Sequence, residues 1–221
     1  MDYEKSNLNK VQRGGHKASY NKEVIYAILD SSEICNIAFS IDGKAFVQPI
    51  NFGRSGETLF IHGSPQNRMT KALIESGEVC LSVMFLDSMK LTRSAFHHSV
   101  NYRSVVVFGK VRELKTNEEK LEGLKAIINH FVPNRWEYCR PPNENELKAT
   151  RVLAFDIETA SAKIADAPPK DNLEDYELDY WSGEIPIKTI CEFPIHDDKL
   201  KDGIPIPKHV LDFYENKKNG F

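Results

Sequence analysis

Two mostly apolar runs, Ile34–Ile41 and Ala45–Phe52, stand on either side of Asp42-Gly43. Asp-Gly readily takes the left-handed backbone dihedrals of a tight hairpin turn, and the flanking β-branched and aromatic residues suit a pleated surface. The pair therefore predicts antiparallel strands, and the chain that follows must extend or cover that sheet. A second turn at Ser55-Gly56 leads into a short strand over Thr58–His62. Further apolar stretches predict strands over Glu78–Phe85, over Lys90–Leu114 as one long or broken strand, and over Val152–Ala165 as the last strand.

Helices fall between these strands. Asn21 can cap a helix over Lys22–Asp30, with Val24, Ile25, Ile28 and Leu29 on one face. Gly63-Ser64-Pro65 reads as a strand-to-helix corner, with Ser64 as N-cap and Pro65 at the first helical position. That helix runs to about Glu75 and stops at Gly77. An amphipathic helix is predicted over Glu118–Phe131 and a short one over Asn143–Thr150. Many short strands in hairpin order expose edges unless the sheet closes. The fold class is accordingly mainly β with flanking helices, an antiparallel β-barrel of α+β type. Residues 1–20 form an N-terminal extension, 21–166 the barrel domain, and 167–221 a wrapping tail rich in proline, acidic residues and isolated aromatics.

Several function classes are disfavoured early. A net charge of −3 lacks the basic face that nonspecific nucleic-acid binding needs. No apolar run approaches the roughly 20 residues of a membrane span, and the polar N-terminus has no signal-peptide core, so a cytoplasmic location is expected. The four cysteines, Cys35, Cys80, Cys139 and Cys191, are scattered without a CxxC pair and read as reduced and structural, with no metal site. GxSxG, HExxH, GxGxxG and the Walker phosphate loop are all missing.

Three stretches could carry chemistry. Arg93–Ser104 packs two arginines, two adjacent histidines and several hydroxyl and amide side chains directly before the apolar run Val105–Phe108. Polar groups entering a core strand are costly unless they meet a partner, so a ligand-lined strand is expected. His97 and His98, taken as strand neighbours, would face opposite sides and could not share a metal; hydrogen bonding or proton donation beside a ligand is the expected role. The second stretch, His62-Gly63-Ser64 with Arg68, Met69 and Lys71, offers a helix N-terminus and two cations to a phosphate; a plain capped surface helix is the alternative. The third is Gln48-Pro49-Ile50-Asn51, where amides interrupt an apolar strand and Pro49 removes a ladder donor. That strand should lie at an edge or open onto a cavity.

Together, Gly15–Tyr20, Glu23–Asp30, the His62-Gly63-Ser64 corner and Arg93–Ser99 with Asn101–Val105 resemble the pyridoxamine 5′-phosphate oxidase-like, FMN-binding split barrels, in the branch that includes nitroimidazole-resistance proteins. The resemblance spans roughly residues 12–190. It implies a homodimer of six-stranded antiparallel split barrels with FMN at the subunit interface. It also implies an oxidoreductase that takes electrons from NAD(P)H and passes them to a small, nitro-aromatic or other, acceptor. A noncatalytic FMN- or haem-binding protein is the alternative. The cofactor-binding residues implied are Gln48, Pro49, Ile50, Asn51, His62, Gly63, Ser64, Arg68, Met69, Lys71, Asn101, Arg103 and Ser104, with His97 and His98 as proton donors. Met69 stands where the oxidases carry a lysine, and Ser104 where they carry a glutamine. The oxidases' C-terminal substrate signature is also missing, so pyridoxamine phosphate oxidation is not the expected activity.

Overall fold

In a computed structural model, which describes residues 1–220, the chain forms nine strands and five α-helices. The strands are β1 (Ala18–Ser19), β2 (Ile34–Ile41), β3 (Lys44–Asn51), β4 (Gly53–Ser55), β5 (Thr58–Gly63), β6 (Glu78–Leu91), β7 (Ser99–Leu114), β8 (Arg151–Ala165) and β9 (Gly183–Pro186). The helices are α1 (Lys22–Asp30), α2 (Arg68–Ser76), α3 (Asn117–Phe131), α4 (Glu144–Lys148) and α5 (Lys208–Lys217).

The main sheet runs β3-β2-β6-β7-β8-β5-β4, entirely antiparallel, with β1 added to β8 and β9 to β6. Its two end strands, β3 and β4, are separated in the chain by Phe52 alone. The sheet must therefore curl until its ends meet, which is how a barrel forms from this path. Nine strands replace the expected six: β3 and β4 are counted separately, and β1 and β9 are additions outside the main path.

The barrel interior is filled by alternate residues of the long strands. Ile37, Leu81, Val83, Val105, Val107, Leu59, Ile61, Leu153 and Phe155 are buried in one cluster, which Ile25, Ile28 and Leu29 of α1 extend. Each such side chain contributes about 1.5–3 kcal/mol on burial. Asn21 caps α1 by accepting from the N–H groups of Glu23 and Val24. Asp42 and Gly43 both take left-handed dihedrals, as the tight hairpin requires. Helix α3 begins with a Thr116–Glu119 capping box and packs on β4, where a Cβ on Gly53 would lie 2.5 Å from Ile127 Cα.

Three local expectations are corrected. The N-cap of α2 is Asn67, whose side chain accepts from Met69 N at 2.8 Å; Ser64 Oγ instead accepts from Gln66 N within the preceding turn. Strand β6 does not end at Phe85. The register shifts between Leu86 and Ser88, so Asp87 is absorbed as a bulge and the strand continues to Leu91. As a result, residues 92–98 form a connecting loop, and His97 and His98 do not lie on a strand. Finally, β8 is not the last strand, because the tail contributes β9 and α5.

Candidate functional site

The end of the β6–β7 hairpin and the tail segment laid against it enclose an unusual amount of polarity. Of the ten buried polar residues described, five gather here: Ser88, Lys90, Thr92, Asn101 and Asp171. Burying such groups is costly without partners, and most of these partners come from the tail. Lys90 Nζ donates to Ala167 O at 3.1 Å, Ser182 Oγ donates to Leu91 O at 3.0 Å, and Asn101 Nδ2 donates to Glu184 at 3.2 Å. Asp171 accepts from the backbone N–H groups of Arg93 and Ser94, both at 3.1 Å, and from Arg93 Nη1 at 3.3 Å. Burial pushes the Asp171 carboxyl up, but these donors outweigh it and hold the group below its usual range. Two buried atoms keep no partner, Arg93 Nε and Asn101 Oδ1.

Both histidines sit in the loop that this corner supports. The carbonyl of Ser94 accepts from Thr92 Oγ1 at 2.8 Å and lies 3.1 Å from His98 Nδ1. The Thr92 hydroxyl, which gives its proton to that carbonyl, lies 3.2 Å from the same Nδ1, so Nδ1 is the engaged nitrogen, set to donate to both oxygens, and Nε2 is the unbonded nitrogen of an exposed ring. His97 is half-buried and packs edge-on against Phe96. Arg103 gives its guanidinium to Asp87, and Ser104 Oγ donates to Lys163 O.

The other predicted residues form a second group. Gln48, Pro49, Ile50 and Asn51 lie on β3, at the end of the sheet path as expected, with Gln48 opposite Ile37 and Pro49 opposite Asn36. Arg68 places its guanidinium 4.7 Å from the centre of the Phe46 ring, which ties α2 to the same strand. Arg68 and Lys71 line one cavity of about 450 Å³ together with Ser40, Asp42, Glu75 and Ser76. Met69 does not join them, because its side chain is fully buried in the core. His62 and Gly63 end β5. Gly63 lies 3.6 Å from Asn67 and Thr70 side chains when given a Cβ, so the corner fits closely against α2. Burial holds His62 below the ordinary imidazole range, and its Nδ1 has no partner.

Within one chain the two groups stay apart. Gln48 lies in the row Gln48–Ile37–Leu81–Val107, three strand spacings, or about 14 Å, from β7. Sequence reasoning missed Lys90, Thr92, Asp87 and Asp171. Asp87 could have been found as the only carboxylate between two apolar runs; Asp171 sits in a polar tail with no periodicity to mark it.

The family model for pyridoxamine 5′-phosphate oxidase matches residues 21–164. The chain belongs to that family. Among solved structures, the flavocytochrome Anf3 from Azotobacter vinelandii is 34% identical, with a TM-score of 0.87 over 94% of this chain and 96% of its own. The FAD and heme binding protein from Mycobacterium smegmatis is 32% identical, with a TM-score of 0.83 over 89% and 96%. A Bacteroides thetaiotaomicron protein provisionally assigned to 5-nitroimidazole antibiotic resistance shares the fold at 22% identity and a TM-score of 0.58, over 66% of this chain and 86% of its own. No curated protein matches the chain. Among the described residues, no helix is long and apolar enough to cross a membrane.

Proposed function

We propose that the chain is a redox protein that binds a flavin and a haem, takes reducing equivalents from NAD(P)H, and delivers them to a small acceptor. One observation carries this reading: two relatives above 30% identity, matched over nearly their whole lengths, are a flavocytochrome and an FAD and heme binding protein. FMN is the expectation from sequence, whereas FAD is what the mycobacterial relative binds; the mass of the released cofactor separates them. A nitro-aromatic acceptor is the narrower form of the same proposal, supported only by a likeness of fold.

The chain's residues fit both groups. For a flavin, Arg68 and Lys71 share a cavity of about 450 Å³ along α2 in which a phosphate would find two cations, next to the carboxylates of Asp42 and Glu75. Gln48 and Asn51 offer amides to a ring edge, and Asn101 Oδ1 is a buried acceptor that lacks a donor. For a haem, His98 presents a bare Nε2 on a ring fixed through Nδ1, the arrangement that second-shell bonds give to metal-binding histidines. His62, held neutral by burial, is the other histidine suited to ligation. The bound groups would supply the electron transfer itself. The chain binds and orients them, and His98 can hold or accept a proton at Nε2.

A homodimer is part of the proposal. The two half-sites lie three strand spacings apart along the sheet of one chain, so a second copy would bring Asn101 and His98 to the Gln48 and Arg68 side. Val100, Met89 and Ile185 form an exposed apolar row across β7, β6 and β9 that a partner could cover.

The test is the absorption spectrum of the purified protein, with mass analysis of what it releases. A flavin band that bleaches with NADPH or NADH, together with a Soret band, is expected. A flavin band alone removes the haem from the reading. Colourless protein that gains no thermal stability from FMN, FAD or haemin overturns the whole of it.

A further inference from the structure

Asp171 lies outside the segment matched by the family model, yet it is the only buried carboxylate among the described residues. Its side chain is 1% exposed, and three donors converge on it, two of them backbone N–H groups of the histidine loop. The adjoining chain locks it further. Asp171 N donates to Tyr176 OH, and the Tyr176 ring lies 5.0 Å under the Arg93 guanidinium. The partners are shared in a particular order. The N–H of Ser94 is held by Asp171, while the C=O of the same Ser94 accepts from Thr92 Oγ1 at 2.8 Å and from His97 N and His98 Nδ1, each at 3.1 Å, with Thr92 Oγ1 also 3.2 Å from His98 Nδ1. Ser94 is thus a relay, one side fixed by the tail and the other fixing the His98 ring.

We propose that Asp171 is a positioning residue for His98, so that the tail, and not the barrel alone, sets which ring nitrogen of His98 is free. A buried carboxylate holds two backbone N–H groups more tightly than water can, because charge-assisted hydrogen bonds are short and strong. Without it, Arg93 and Ser94 turn to solvent, the loop loses its fixed shape, and the Ser94 carbonyl no longer faces Nδ1. A free imidazole then distributes its proton between the two nitrogens. In the intact protein Nε2 is the ring nitrogen left without a partner, the one placed to meet a bound group. The 34% identical flavocytochrome match covers 94% of this chain and so must include part of this tail, whereas the family model ends at residue 164. The role assigned to Nε2 rests on the function proposed above; the positioning itself does not.

The test reads the His98 ring directly in the full-length protein as purified. Imidazole ¹⁵N chemical shifts distinguish a proton on Nδ1 from one on Nε2. Wild type should show predominantly the Nδ1–H form, and Asp171→Ala should lose that preference while His130 keeps its own shifts. Asp171→Asn retains one acceptor oxygen and should restore the preference in part, which also covers the case in which the alanine variant does not fold. FAD, FMN and haemin affinities measured on the same variants should fall with the Nδ1–H population. A His98 tautomer unchanged in both variants overturns the positioning role. A tautomer that shifts in a protein that binds none of the three cofactors leaves the positioning standing and overturns the function on which Nε2's role depends.

Discussion

Arg103 donates from Nε and Nη2 to the carboxylate of Asp87, with the shortest contact at 2.8 Å, and its guanidinium lies 5.0 Å from the Phe85 ring centre. The pair bridges β7 and the bulge of β6, so the arginine that the family resemblance assigns to a cofactor is already engaged by its own chain.

Replacing Asp87 with asparagine should free Arg103 at little structural cost. Both partners are roughly one-third exposed, and pairs of this kind contribute on the order of 1 kcal/mol or less. Chemical denaturation should show a loss within that bound, while flavin titration should show a changed affinity. Unchanged affinity would place Arg103 outside the binding surface.

The cavity between the β2–β3 turn and α2 supplies a second expectation. Arg68→Ala combined with Lys71→Ala should weaken flavin binding by at least about tenfold, since hydrogen bonds to charged groups contribute roughly 1.5–3 kcal/mol. Binding that survives undiminished would mean that the phosphate lies elsewhere.

For the haem, His62→Ala and His98→Ala separate the two candidate ligands. Loss or displacement of the Soret band in one variant and its persistence in the other identifies the residue. Persistence of an unaltered band in both excludes the two together.

Acid should weaken the fold in a defined window. Burial holds His62 and His130 below the ordinary imidazole range, although the bond from His130 Nε2 to Ser32 O at 2.8 Å acts in the opposite sense. An unfolded histidine takes its proton at about pH 6.5. Below that, the unfolded chain binds more protons than the folded one, so stability falls as pH drops towards the depressed folded values and is unaffected above the window. Urea midpoints at about pH 7.5 and about pH 5.5 read this difference. His130→Phe should narrow it, and a gap of the same size in that variant would rule out His130 as a contributor.

Gly53 tests the packing that closes the barrel. Its backbone lies against α3, and an added Cβ would meet Ala126 O and Ile127 N at 2.6 Å. Because those atoms are backbone, Gly53→Ala should lower stability by about 1–3 kcal/mol, measured by denaturant melting.

Local chemistry was the legible part of this chain. Asp42-Gly43 announces its turn, Asn21 its helix, and Gly77 the end of α2, because each acts on its immediate neighbours. Longer-range choices were hidden. Ser64 and Asn67 are both good caps, and only the turn that Ser64 makes with Gln66 decides between them. Asp87 looked like the end of a strand because its partner Arg103 is distant in sequence, and that one misreading put the histidines on a strand. Polar enrichment at 93–104 did mark the candidate site, but the tail groups that support it, Asp171 and Ala167, carry no pattern that reveals where they dock.

The single residue between β3 and β4 also has a consequence for how the chain is made. The β2–β3 hairpin can form as soon as both its strands exist. Strand β5 must wait for β8, since Thr58 pairs with Asp156 across a separation of 98 residues. Such non-local pairing slows folding. During synthesis the early strands therefore remain an open, unsealed sheet until the last long strand emerges, and the barrel closes only when most of the polypeptide is present.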